Sequence, residues 1–146
     1  MVIYFYSPRE QPYGCLSNFS RHGILMDDTW WPTVEHYFQA QKFVGTEYED
    51  AVRQAKSATK AKGMGRSRKY KLRRDWEQVR DSIMREAVLA KFTQHAELRT
   101  ILLGTGDAII VENSPTDDYW GCGATGHGKN KLGKILMSVR EELRGR

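Results

Sequence analysis

Glu35, Gln39 and Lys42 fall at helical spacing within Thr33-Val34-Glu35-His36-Tyr37-Phe38-Gln39-Ala40-Gln41-Lys42-Phe43, where most other positions are apolar. On a 100° wheel Val34, Tyr37, Phe38, Ala40, Phe43 and Val44 cover most of the circumference, so this helix must be largely buried. Gln41 sits inside the apolar arc, and a buried amide without partners costs about 1–3 kcal/mol. The narrow polar stripe admits two readings. Glu35 and Lys42 are either an ordinary exposed ion pair, or they wall a pocket and hold a carboxylate and an amine together in a dry setting.

A second constellation lies between Asp107 and Lys134. The apolar run Ala108-Ile109-Ile110-Val111 delivers Glu112, then a polar turn, then Asp117-Asp118-Tyr119-Trp120. Gly121, Gly123, Gly126 and Gly128 follow, with Lys129-Asn130-Lys131 at the mouth of the last helix. Glycines ahead of a helix N-terminus let backbone N–H groups converge on an anion, and Lys129 and Asn130 add donors. The alternative is a surface loop in which the acids merely favour a turn. The stretch from Gly123 to Asn130 nearly matches the phosphate-binding pattern GxxxxGK[ST], but Asn130 stands where a magnesium-binding hydroxyl is needed. No second strand ends in a metal-binding Asp, which excludes a nucleoside triphosphatase.

Ser17-Asn18-Phe19 forms a third group, near Arg9 and Glu10. Its amide suits a sugar or base edge, and its ring offers a stacking face. His22, His36, His95 and His127 are scattered without an i,i+4 pair, so no zinc site is expected. Cys15 and Cys122 form neither a disulfide framework nor a CxxC pair, which fits a reducing cytoplasm.

The elements that must position these groups follow from periodicity. Val2 to Ser7 and Ile24 to Met26 read as strands, and the short apolar N-terminus as a first strand rather than a signal peptide. A helix opens at Pro32-Thr33, with Thr33 as N-cap, and ends at Gly45. A second covers Glu47 to Ala58. The longest begins at Asp75, with Gln78 completing a capping box, and buries Trp76, Val79, Ile83, Ala87 and Ala90, widened by Met84, Val88 and Phe92. A short helix over Leu98–Leu103 precedes the Ala108–Val111 strand. The final helix, Lys131 to Leu143, lines Leu132, Ile135, Leu136, Val139 and Leu143 along one face. With no repeat or linker, the chain is expected to be one helix-dominated α+β domain over residues 1–146. No apolar run approaches the ~20 residues that span a bilayer. Net charge is +5, and ten of the 23 Lys and Arg residues lie between Arg53 and Arg74 without one acid. That stretch is either a surface for an anionic partner or a solvated face whose long stems cover core.

At these residues the chain resembles the YbiA-like, or NADAR, family, whose name refers to NAD and ADP-ribose association. The matching pieces are Gly14 to Ser20, Trp31 to Phe43, Asp75-Trp76, Met84 and Ala90-Lys91-Phe92. Leu102 to Asp107, Val111-Glu112, Asp117, Trp120-Gly121, Gly128, Asn130 and Leu132-Gly133 complete a likeness that covers nearly the whole chain. The resemblance implies a YbiA-like fold and N-glycosidase activity without a cofactor. Bacterial and plant members resemble hydrolases of phosphoribosylaminopyrimidines, reactive intermediates of riboflavin biosynthesis. Other branches are similar to enzymes that remove ADP-ribose from modified guanine.

Both reactions break a ribose C1–N bond. Departure of the base develops positive charge on the ribose, which an ionised carboxylate in a water-poor site stabilises. A second group must activate water or protonate the leaving nitrogen. Glu35 and Asp117 are the expected pair, in either order. Lys42 holds a phosphate or shifts a carboxylate, or forms an imine with the opened sugar if desolvation strips its proton. Trp120 stacks on the base or closes the sugar pocket, Asn18 orients the heterocycle, and Lys129, Asn130 and the basic stretch take phosphate. Arg9, Phe19, Gln39 and Gly121 complete the substrate-binding set. The expected partner is a small phosphoribosyl metabolite. The alternatives are ADP-ribosylated guanine in nucleic acid and a non-catalytic ADP-ribose or nucleotide sensor.

Overall fold

The computed structural model describes residues 1–146. Four short strands, β1 (Val2–Phe5), β2 (Ile24–Met26), β3 (Thr29–Trp31) and β4 (Ile109–Glu112), accompany six helices. These are α1 (Val34–Gln41), α2 (Glu47–Arg53), α3 (Ala58–Met64), α4 (Trp76–Gln94), α5 (Ala96–Gly104) and α6 (Lys131–Arg144). One apolar cluster joins them, from Phe5 and Leu16 through Val34, Phe43, Met84 and Phe92 to Leu132 and Leu136. The α+β class holds: α4 packs against α1, α5 and α6, and α6 also lies on β4. No helix is long and apolar enough to cross a membrane.

β1 and β4 pair in parallel, Val2 opposite Ile109 and Phe5 opposite Glu112, so the chain's first residues fix the strand that carries Glu112. β2 and β3 form a hairpin closed by Asp27 and Asp28, both with positive φ (49° and 65°), as a primed turn demands. β3 was not evident in the sequence, because Asp-Asp is a weak hairpin signal and each strand has three residues.

Thr33 caps α1 as expected, its Oγ1 accepting the His36 N–H at 3.1 Å. The neighbouring His36 ring is locked in the core: Nε2 donates to the Ala55 carbonyl at 3.0 Å, leaving Nδ1 to accept from the Thr33 hydroxyl at 2.8 Å. The helix stops at Gln41, earlier than its apolar pattern suggests, and Val44 is exposed rather than buried. Gln41 is only half-buried, whereas the whole of Val34–Ala40 is buried, Glu35 and Gln39 included.

Two expected caps and spans differ. The single helix over Glu47–Ala58 is instead α2 and α3, because Ser57 starts a new helix by accepting the Lys60 N–H at 3.0 Å. Asp75 precedes α4 without capping it. Its carboxylate turns to Arg73 (Oδ1 to Nε 2.7 Å), and its backbone carbonyl accepts the Gln78 and Val79 N–H groups instead. Along α4 the buried face centres on Trp76, Met84, Ala87, Val88, Lys91 and Phe92, with Val79, Ile83 and Ala90 at its margin. Lys91 is 1% exposed and donates from Nζ to the Ser17 carbonyl at 2.9 Å, tying α4 to the turn that holds Asn18. Burial lowers its pKa to about 7.

Candidate active site

A cavity of ≈ 230 Å³ opens where α1, α3, α4, the end of β4 and the loop after it meet. α1 contributes Glu35, Phe38 and Gln39, with Lys42 just past its end; α4 contributes Trp76, Arg80 and Met84. Lys62 and the following Arg66 come from the α3 side, Glu112 from β4, and Asp117 and Trp120 from the loop. Six of these residues and their neighbours, Ser17, Phe19, Lys62, Arg66, Glu112 and Asp117, also line an adjoining groove of ≈ 530 Å³. That groove continues over Tyr6, Ser7, Thr59, Ser114 and Thr116. The inner cavity is therefore walled by aromatic rings, the outer groove by hydroxyls, and acids and cations stand at the junction.

Glu35 is 6% exposed, and its Oε2 accepts the Gln39 Nε2 at 2.6 Å. Gln39 reaches it because Gly65 leaves room: a Cβ there would lie 1.8 Å from Gln39 Oε1. Burial pushes the Glu35 carboxyl up, against the Gln39 hydrogen bond and the charges of Lys62 and Lys42. Burial lowers the Lys42 amine, opposed by Glu35 and reinforced by Arg66 and Lys62. Lys42 makes no ion pair; its Nζ donates to the Gly65 carbonyl at 3.4 Å. Glu112 is pushed up to about 7 by burial first, then by the charges of Asp117 and Glu35, against Lys62.

Asp117 serves the fold as well as the cavity. Its Oδ1 accepts the N–H groups of Tyr119 (3.0 Å) and Trp120 (2.8 Å), and its own N–H donates to Ser114 Oγ at 2.9 Å. The turn so formed sets the Trp120 ring edge-on to Phe38, centroids 5.3 Å apart. Asn18 lines the cavity with its Nδ2 3.3 Å from Met84 Sδ, and Phe19 lies under Lys62 Nζ, 5.8 Å from the ring centroid.

Of the residues singled out by sequence, Glu35, Gln39, Lys42, Asn18, Phe19, Asp117 and Trp120 line one cavity. Arg9, Lys129 and Asn130 do not. Arg9 is exposed beside a separate groove near Arg21 and Ser57, and Lys129 stands on another with Tyr119 and His127. Asn130, at φ 51°, spends its side chain on β4, accepting the Glu112 N–H at 3.0 Å and donating to the Ile110 carbonyl at 2.9 Å. The N–H groups expected to gather an anion ahead of α6 are taken within the loop: Lys129 by Asp118 O, Asn130 by Gly121 O, Lys131 by Tyr119 O, Leu132 by Trp120 O. Gly121 is buried against Glu112, where a Cβ would approach the Glu112 carbonyl to 2.8 Å and Oε2 to 2.9 Å. Among the described residues no group of three or more His, Cys, Asp or Glu side chains is arranged to hold a metal ion.

A family model described as the NADAR domain matches residues 4–144. The chain belongs to the NADAR family. The N-glycosidase Npun_R5314 of Nostoc punctiforme is 58% identical over 99% of this chain and 94% of its own length. The N-glycosidase YbiA of Escherichia coli is 49% identical over 97% of this chain and 88% of its own. The NMR structure of the E. coli protein YbiA superposes with a TM-score of 0.91, covering 99% of this chain and 85% of that one at 49% identity. The riboflavin biosynthesis protein VVA0006 of Vibrio vulnificus is 45% identical over 97% of this chain, which spans 38% of that longer protein.

In this NADAR domain Glu112, Arg80, Trp76 and Met84 join the site although the sequence did not place them there, and Lys62 and Arg66 are the members of the basic stretch that line it. Glu112 had a readable signal, an acid at the tip of an apolar strand. Lys62 and Arg66 were visible only as part of a basic run, since nothing local says which cations turn inward.

Proposed function

We propose that this chain hydrolyses the ribose C–N bond of a phosphoribosylaminopyrimidine of riboflavin biosynthesis, releasing ribose 5-phosphate and the aminopyrimidine. That it is an N-glycosidase agrees with the names of its near full-length relatives, and the name of the Vibrio protein supports the pathway. The observation that carries the substrate assignment is the junction itself. Glu112 and Asp117 stand between an aromatic cavity and a hydroxyl-lined groove, with Lys62 and Arg66 facing both and Glu35 on the cavity side. A flat base fits against Phe38, Trp76 and Trp120, and its 5′-phosphate against Lys62, Arg66 and the groove hydroxyls. The ribose then spans the acids.

In this pose Asp117, at the boundary of both spaces, faces the positive charge that grows on the ribose as the C–N bond lengthens. Glu35, fixed by Gln39 on a dry helix, orients and deprotonates the attacking water. Lys42 supplies positive potential beside Glu35. A second role for Lys42 is favoured by its burial with only a backbone carbonyl as partner: a deprotonated amine can attack C1′ and expel the base as a glycosylamine forms. Its C1′–O4′ bond then opens, the Lys42 N–H proton passing to O4′, to give an imine that water hydrolyses. Borohydride added during turnover separates these roles, since only the imine leaves a reduced adduct on Lys42.

The deciding measurement is ribose 5-phosphate release by the wild-type protein and the Glu35→Gln variant. The variant is expected to fold and bind but not turn over; equal rates would remove Glu35 from the mechanism. ADP-ribosylated guanine in nucleic acid remains the competing substrate, because α3 and the following loop carry the basic run beside the site. Turnover of such a polymer falls steeply with salt through counterion release, and turnover of a small metabolite falls only modestly.

A further inference from the structure

The glycosidase reading leaves one requirement open, a proton for the departing nitrogen. An amine expelled without one leaves as an anion too basic to depart at a useful rate. Glu112 is placed to meet that requirement. With Asp117 it lines both the cavity and the groove, Glu35 shares the cavity, and the Oε2 of Glu112 is buried without a hydrogen-bond partner. Its backbone is pinned from two sides, the N–H donating to Asn130 Oδ1 at 3.0 Å and the carbonyl accepting the Cys122 N–H at 2.9 Å. Pairing of Glu112 with Phe5 fixes the strand beneath it, and Gly121 gives the carboxyl its room. A buried carboxyl oxygen without a partner is costly when ionised, and far less so as a neutral acid waiting for an acceptor.

We infer that Glu112 is the general acid of this reaction, donating its proton to the nitrogen that leaves ribose C1′. The inference rests on the glycosidase reading. The C1′–N bond breaks with its electron pair going to nitrogen, which takes the Glu112 proton. Water oxygen bonds to C1′, keeping one hydrogen as the new hydroxyl. Its other proton passes to Glu35 and returns to Glu112 through solvent, so the sum is one water consumed per bond broken. The charged and titratable groups facing Glu112 are Glu35 and Lys42 from the α1 side, Lys62 and Arg66 from the α3 side, Arg80 from α4, Asp117 from the loop and Tyr6 beyond β1. The two carboxylates and burial hold its proton on, with Lys62 opposing.

The test compares two leaving groups on the wild-type protein and a Glu112→Gln variant. One substrate is the phosphoribosylaminopyrimidine. The other is 4-nitrophenyl β-ribofuranoside 5-phosphate, whose phenolate departs without protonation. The variant should lose roughly 10³-fold in kcat on the first and less than about fivefold on the second. In the wild-type protein, kcat for the amine should fall about tenfold per pH unit above the Glu112 pKa of about 7 and stay level for the phenolate. This second measurement decides the matter even if the variant does not fold. Equal losses on both substrates, parallel pH profiles, or no loss on the amine would overturn the assignment and leave the glycosidase reading standing. A wild-type protein active only on the nitrophenyl substrate would also overturn it. Wild-type protein inert on both would overturn the glycosidase reading, and this assignment with it.

Discussion

The two walls of the site solve the same problem in opposite ways. On α1, apolar residues carry the fold: Val34, Phe38 and Ala40 are buried all round, so the helix stands without its polar stripe. Glu35 and Gln39 are therefore spare, and Gln39 Oε1 is even left without a partner. In the loop from Ser114 to Asn130, polar groups carry the fold. Asp117 caps two N–H groups, Ser114 two more, and Asn130 stitches the loop to β4. A carboxylate on the helix is free to do chemistry, whereas one in the loop divides itself between chemistry and architecture. Catalysis and stability should separate on one wall and stay coupled on the other.

The largest effect should come from the helix wall. Glu35→Gln is expected to lower kcat by about 10³-fold. Its melting temperature should stay level or rise, because a neutral amide still accepts from Gln39 and avoids a buried charge. A fall in both would show that α1 needs its charge after all. Next comes the loop, where Asp117→Asn keeps an oxygen for the Tyr119 and Trp120 N–H groups. It should fold normally yet lose about 10²-fold in kcat. Asp117→Ala should lose activity and also about 2 kcal/mol of stability, read as a melting-temperature drop on the order of 5 °C. If the two variants melt alike, the capping role is wrong.

A smaller effect tests the support of the helix wall from outside. A methyl at Gly65 meets Gln39, so Gly65→Ala should swing the amide off Glu35 and cost about tenfold in kcat. A pH-rate profile that shifts with the loss would tie it to Glu35. Glu112 offers a readout in stability alone. Its folded pKa of about 7 exceeds the ordinary 4.5, so the folded chain holds the extra proton between those values. Stability from this group is complete below pH 4.5 and is lost as pH rises to about 7. Glu112→Gln escapes that loss and should melt about 3–6 °C above wild type at pH 8, with no difference at pH 4, by calorimetry. The smallest effects belong to Arg9→Ala and Lys129→Ala, each within about twofold in kcat/KM, since neither side chain lines the cavity. A tenfold loss at Lys129 would restore the loop as a phosphate clamp.

How far the sequence foretold this site follows the same divide. The helix wall was legible because burial and periodicity are local: α1 and α6 follow from which positions are apolar, and Thr33 announces its cap. The loop was misread as an anion cradle because its N–H groups meet carbonyls of Asp118 to Gly121, about ten residues back, a closure no spacing rule encodes. Asp75 looked like a cap, yet an Arg two residues earlier took its carboxylate. Glu112 lay in plain view at a strand tip, but its sharing a cavity with Glu35 is a matter of tertiary packing, in which β4 is held by its pairing with β1 and by α6.

That pairing also sets a schedule. Val2 is synthesised before Ile109 and waits for it, so at ~5–20 residues per second β1 spends on the order of ten seconds without its neighbour. For that interval the nascent chain exposes one half of a reactive pocket and the edge of an unpaired strand. The enzyme cannot begin to act, and a chain cut short before β4 is not a weaker catalyst but an aggregation hazard with an open edge.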